Sequence, residues 1–266
     1  MTPAAWLSAF RYAVAAGIAD YSAIYTWRTW TAAWLSRVLC QVAFFALIGR
    51  LLDSPGATAF LLVGNAVVMA AVESCFVTAS TTWERRSGTL PLLVAAPAGP
   101  LLAFGARSLF WPASGTLTAS ISLYVLAPLF GVPLPMPRAL LAVPVIALVA
   151  LATYTFALTL SGYVLRAMEA RNLVGNVAHL SLMALCGVQV PVTFWPGWVQ
   201  AVASLLPVRH GLLGVRALLA GAPAATVLRH AGLEAAVGVG WLLVAALTFR
   251  RFAESGRRDG SIEFGS

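Results

Sequence analysis

Between Arg138 and Arg166 the chain runs 27 residues without a charge. About 20 apolar residues in a helix cross the roughly 30 Å hydrocarbon core of a bilayer. A helix apolar all round is otherwise at home only in the centre of a large protein. The rest of the chain points to lipid as the solvent. Its residues are 60% hydrophobic and 10% charged, and the mean hydropathy is +0.86. Soluble domains carry about 25% charged residues, so a water-soluble enzyme is excluded. At 20-odd residues per span, 266 residues hold roughly five to seven membrane helices.

Hydropathy and turn residues predict an all-α integral membrane protein with six spans. Residues 1–30 form an N-terminal amphipathic interfacial helix, residues 31–250 the transmembrane domain and residues 251–266 a basic cytoplasmic tail. In the first of these, Trp6, Leu7, Phe10, Val14, Gly17, Ile18, Tyr21, Ile24 and Tyr25 share one sector of a helical wheel. Ser8, Arg11, Ala15, Ser22 and Thr26 lie opposite them. Such a stripe suits a helix lying in the membrane plane. Spans follow at about 31–51, 59–82, 107–130, 139–165, 173–191 and 230–249, with Pro112 as a kink in the third. Two apolar stretches are too broken to span. Residues 84–106 contain Gly88, Pro91, Pro97, Gly99 and Pro100 and are expected as short interfacial helices. Residues 194–223 contain Pro196, Pro207, Arg209 and Arg216 and are expected as two short re-entrant or interfacial helices.

The basic residues are all Arg, 17 in number. With the N-terminus inside, Arg11, Arg28, Arg37, Arg85, Arg86, Arg107, Arg166, Arg171, Arg250, Arg251, Arg257 and Arg258 fall on the cytoplasmic side. Arg50, Arg138, Arg209, Arg216 and Arg229 fall outside. Twelve against five favours N-in and C-in. The same rule accounts for the net charge of +8 without a nucleic-acid partner. The absence of Lys removes any Walker A loop, whose Lys reaches the β- and γ-phosphates, so a P-loop ATPase is not on this chain.

No catalytic or metal-binding constellation emerges from the residues. Cys40, Cys75 and Cys186 lie in apolar runs without metal spacing and read as small core hydrophobes. His179, His210 and His230 lack partners at metal-ligand spacing. Glu73 sits inside the second span, where a carboxyl is costly. It reads either as part of a substrate or proton path or as a structural contact. Asn65 and His179 are further path candidates, with interhelical hydrogen bonding as the alternative. Glu234, one turn into the last span, is expected to make a boundary ion pair with Arg229 or His230.

The most specific stretch is Glu84-Arg85-Arg86-Ser87-Gly88-Thr89-Leu90, followed by Leu92, Leu93, Ala96 and Pro97. A charged span end running into a Pro-broken apolar helix is suited to docking in a partner's groove. This run resembles the E-R-x-x-G-T-L motif of ABC-2-type transporter permeases. Further on, Pro191, Trp198, Pro207 and Arg216 resemble the outer P…W…P…R pattern of that family, with Trp195 in the same segment. The chain departs from the family at Pro91, where a Glu is usual. The resemblance implies a half-transporter in the bacterial plasma membrane, made of two permease subunits, identical or different, and two separate ATPase subunits. It implies that the loop Glu84–Pro97 is a coupling helix on the ATPase and that 194–223 is an outer re-entrant pair. The first and fifth spans would line the dimer interface. ATP and Mg2+ would then belong to the partner, with no cofactor on this chain. The implied activity is export of a lipophilic, antibiotic- or drug-like small molecule, or alternatively of a polysaccharide. A proton-coupled secondary transporter using Glu73 predicts inverted repeats, which the sequence lacks. A membrane-embedded enzyme needs clustered acids or histidines.

Overall fold

The computed structural model describes residues 3–80, 99–165 and 168–259, and every regular element among them is helical. Helix α1 (Pro3–Ile24) precedes the first long helix, α2 (Trp27–Leu51). Next come α3 (Pro55–Ser74), α4 (Pro100–Arg107) and α5 (Phe110–Leu129). The second half contains α6 (Ala142–Val164), α7 (Arg171–Leu185), α8 (Gly197–Leu205), α9 (Arg209–Leu219) and α10 (Ala224–Asp259). Five stretches are long and apolar enough to cross a membrane: Trp27–Leu51, Pro55–Ser80, Pro100–Leu129, Arg138–Val164 and Ala224–Glu254. They correspond to the first, second, third, fourth and sixth expected spans.

Helix α3 occupies the centre. It is buried on every face from Leu61 to Ser74 and packs against α2, α5 and α6. Helix α6 packs in turn against α5, α9 and α10. A helix enclosed on all sides has no polar face to spare, and the α3 sequence accordingly has no amphipathic stripe. Its start is set by Ser54, whose hydroxyl accepts from Ala57 N–H, and by Pro55 in the first turn.

Helix α1 forms as expected and lies against α4. Gly17 makes that possible: a Cβ there would sit 1.7 Å from the Arg107 carbonyl oxygen. The contact is extended by the Arg107–Asp20 ion pair at 2.6 Å and by Tyr21 Oη, 3.0 Å from Ser114 Oγ. Trp6, Leu7 and Ile18 of the predicted apolar sector remain exposed, as suits residues facing lipid.

The structure corrects three sequence expectations. Residues 100–106 are not an isolated interfacial piece. Gly99-Pro100 starts a helix rather than breaking one, since Pro is preorganised for the first helical position, and α4 leads directly into α5. The interruption falls at Ser108-Leu109. Pro112, four residues after Ser108, has no N–H to give its carbonyl and would clash with it, so the Pro acts one turn before its own position. The fifth span is shorter than 173–191: α7 has 15 residues and ends where Gly187 takes φ 82°. Helix α10 continues through residues 251–259, the first part of the expected basic tail. Finally, Cys40 is exposed rather than in the core, while Cys75 and Cys186 are buried. The predicted coupling residues Glu84, Arg85, Arg86, Ser87, Gly88, Thr89, Leu90, Leu93 and Pro97 lie outside the described residues.

Candidate functional site

The broken segment after α7 becomes two helices, α8 and α9, meeting at 91°. Such an elbow leaves orphan carbonyls at the end of one helix and orphan N–H groups at the start of the next. At membrane depth each of these needs a partner within the protein. The carbonyls of α8 find theirs in side chains. His210 Nε2 lies 3.1 Å from Ser204 O, Trp241 of α10 donates to Leu205 O at 2.8 Å, and Arg209 reaches further back to donate to Gln200 O inside the helix. The N–H groups of α9 find theirs in Glu234, also of α10. Its Oε1 accepts from Val208 N–H at 2.7 Å and its Oε2 from Gly211 N–H at 2.8 Å.

Glu234 is thus not the expected boundary partner of Arg229 or His230. It is fully buried and closes a helix N-terminus, where the backbone dipole favours a carboxylate. Between the two helices Val208 is held at φ 84°, a strained conformation for a β-branched residue. The strain falls at the corner the clamp fixes.

The far end of α9 is tied down by Arg216. One nitrogen of its guanidinium donates to Gly187 O at 2.8 Å, and another donates to Phe60 O at 3.0 Å. Its Cζ also lies 3.6 Å from the centre of the Phe60 ring, over its face. One side chain therefore joins α9, the end of α7 and the start of α3. Arg138 donates to Gly221 O and Ala222 O in the turn after α9. Within the same segment Trp195 donates to Ala184 O at 3.2 Å, Trp198 is exposed, and Pro207 O accepts from the Cys186 thiol at 3.3 Å. The elbow is bolted to the bundle from four directions.

The second polar centre lies towards the α1 end. Glu73 is 1% exposed, wedged where Gly115 lets α5 approach α3: a Cβ at Gly115 would lie 2.8 Å from Ala70 O. Glu73 Oε1 accepts from Trp34 Nε1 at 2.8 Å and from the Thr118 hydroxyl. Its Oε2 has no hydrogen-bond partner among the described residues. Trp34 sits in a π-helical stretch of α2, Trp30–Leu35, a local winding found frequently at functional sites. The Arg37 guanidinium lies 4.9 Å from the centre of the Trp34 ring. Asn65 is fully buried and donates to Leu61 O of its own helix at 2.9 Å.

His179 is not gathered with Asn65 and Glu73. It lines a cavity of about 320 Å³ between α2, the end of the second span and α7. The three path candidates therefore fall in different places. Among the described residues no cluster of His, Cys, Asp or Glu is arranged to hold a metal ion.

The ABC-2 type transporter family model matches residues 17–220. The chain belongs to the ABC-2 type transporter family. No curated protein and no solved structure matches it. The match takes in the second half of α1, the helices α2 to α9 and the elbow, and makes this chain a multi-pass membrane component of an ABC-type transport system. Members of the family generally work with ABC ATPase partners.

Sequence reasoning about this permease missed Glu234 as a helix clamp, because its partners lie 23 and 26 positions away. It also missed Trp34 as the partner of Glu73. One signal was present and unread: Asn172, Asn176 and His179 repeat at helical spacing along one face of an apolar helix.

Proposed function

We propose that this chain is the transmembrane permease subunit of an ATP-driven exporter. It moves a lipophilic, drug- or antibiotic-like small molecule outward across a bacterial plasma membrane. The observation that carries this reading is the ABC-2 family match over residues 17–220. ATP and Mg2+ bind a separate ATPase subunit, in keeping with a chain that has no Lys for a Walker A loop. Glu84 to Pro97 dock on that subunit and carry its motion into the second and third spans. The termini lie in the cytoplasm, as the Arg distribution favours. The bent pair α8–α9 then stands at the outer end as a re-entrant cap. Two permease subunits meet through α2 and α7, whose outward faces expose Phe44, Leu47, Leu173, Val177 and Leu180.

An export path for a lipophilic molecule agrees with the scarcity of charge in the spans. Glu73 serves helix packing in this reading, since it is sealed from solvent and held by Trp34 and Thr118.

The test is isolation of the tagged chain from its native membrane in mild detergent. The expected result is a copurifying Walker-A-bearing subunit, together with ATP hydrolysis in the isolate. A chain that comes alone, with no hydrolysis, overturns the reading.

A further inference from the structure

Between α1, the start of α2 and α5 lies a groove of about 670 Å³. Two local features build it. Gly17 lets α1 close on α4, and the capping box of Thr26 and Thr29 then starts α2 as a separate helix. The floor is α5, where the small Ala113 and Ser114 lie between Phe110 and Leu117. Ile18 and Tyr21 of α1 line one side, and Trp27 and Trp30 of α2 the other. From Leu109 to Leu117 the floor is roughly 12 Å long at 1.5 Å per residue. The volume falls within the roughly 300–1,000 Å³ of small-molecule sites.

The chemistry of the groove restricts its occupant. Its polar floor is already paired: Tyr21 Oη lies 3.0 Å from Ser114 Oγ, which also accepts from Trp30 Nε1 at 3.4 Å. A polar group entering there would lose hydration for little return, whereas a hydrocarbon chain gains by covering the aliphatic and aromatic surface. The charge beside the groove is positive. No acidic residue lines it, and Asp20 of α1 is held by Arg107. Arg28 is exposed, with its Cζ 5.4 Å from the centre of the Trp27 ring. It makes no ion pair among the described residues. Trp27 and Trp30 open the first span, where aromatic belts mark the headgroup level. Hydrocarbon surface and a guanidinium at headgroup level together match a chain that ends in an anion. A phosphate takes charge-assisted hydrogen bonds from Arg28, and a cationic head is repelled by it. The surrounding bilayer, in which an amphipathic helix such as α1 lies, contains molecules of this kind.

We infer that the groove between α1, the start of α2 and α5 holds one acyl chain of an anionic phospholipid from the surrounding bilayer, with Arg28 on its phosphate. The lipid fills the space that α1 and α2 leave over α5. It is a resident of the fold and not cargo, so the site does not depend on what the permease moves.

The experiment is native mass spectrometry of the full chain in neutral maltoside micelles. The chain is titrated with dioleoyl phosphatidylglycerol, zwitterionic dioleoyl phosphatidylcholine and glycerol 3-phosphate. The expected result is one tightly held phosphatidylglycerol per chain, phosphatidylcholine weaker by roughly fivefold or more, and no retained glycerol 3-phosphate. Arg28→Gln should bring phosphatidylglycerol to within about twofold of phosphatidylcholine. Arg50→Gln, at an exposed Arg on the other end of α2, should leave the preference intact. Ala113→Phe fills the floor from an exposed position and should release both lipids. The preference surviving in Arg28→Gln, or lost equally in Arg50→Gln, overturns the proposal. Undiminished lipid binding by Ala113→Phe overturns the groove as the site. Retained glycerol 3-phosphate overturns the acyl chain and leaves a free-anion site. A lipid-free dimer that Ala113→Phe dissociates gives the groove to a second copy of the chain and also overturns the proposal.

Discussion

Replacing Glu234 by Ala tests the elbow at its most exposed assumption, that one carboxylate holds the start of α9. The substitution removes the acceptor from two buried N–H groups, those of Val208 and Gly211. Each orphaned donor costs about 1–3 kcal/mol, which sets a ceiling of roughly 6 kcal/mol for the pair. Side-chain hydrogen bonds within membrane bundles average about 0.6 kcal/mol, which sets a floor of about 1.2 kcal/mol. Glu234 is fully buried, so water does not replace it. Against this, the strain at Val208, of order 1–3 kcal/mol, is released once the clamp is gone. The net expectation is about 2 kcal/mol for local opening of α9, or roughly 30-fold at 1.4 kcal/mol per decade. Amide hydrogen exchange by mass spectrometry in micelles reads this directly. Peptides covering residues 206–219 should exchange roughly 30-fold faster, with peptides from α3 and α6 unchanged. Glu234→Gln, which keeps one acceptor oxygen but turns an amide NH2 towards the other N–H, should fall between. Exchange in Glu234→Ala within threefold of the original protein would refute the clamp.

Other consequences follow from single contacts. Gly17→Val drives a side chain into the Arg107 carbonyl. It should lift α1 from α4 and expose α1 to limited proteolysis while the spans stay protected. The Asp20–Arg107 pair is partly exposed, so Asp20→Asn should cost no more than about 1 kcal/mol and leave α1 in place. Arg216→Lys keeps the charge but loses the forked donors and the flat stacking surface on Phe60. It should lower the thermal transition in detergent by an amount matching roughly 2 kcal/mol, and an unchanged transition would count against the three-helix tie. Trp34→Phe takes away one donor to Glu73 and should destabilise by about 1 kcal/mol. The loss should largely vanish in a Glu73→Leu background, which has no acceptor, and an undiminished loss there would deny the pairing.

The spans were legible because hydropathy is additive along the chain: a run such as 139–165 needs no tertiary information. The split of 194–223 into two short helices was legible for the same local reason, since Pro196 and Pro207 interrupt it. The sequence-only account fails where a side chain's partner comes from a distant element. Arg229 and His230 are near Glu234 in sequence, yet its ligands are backbone N–H groups across a 91° elbow. Gly99-Pro100 illustrates a different difficulty, because a Gly-Pro dipeptide can mark the end of a helix or the start of one. The length of α7 was overestimated because the residues after Cys186 stay apolar while the backbone turns at Gly187. The polar stripe of Asn172, Asn176 and His179 was readable, but not that Arg37 and Gln41 line the same cavity.

If this chain transmits a partner's ATP hydrolysis, the hydrolysis rate of the copurified complex depends on it. The rate is compared between the original chain and the Glu84→Ala, Arg85→Ala double variant, with the isolated ATPase subunit as reference. The original chain should change the partner's rate, and the double variant should insert normally but return the rate to that of the isolated subunit. A partner whose rate is the same with the original chain, with the variant and alone would contradict it.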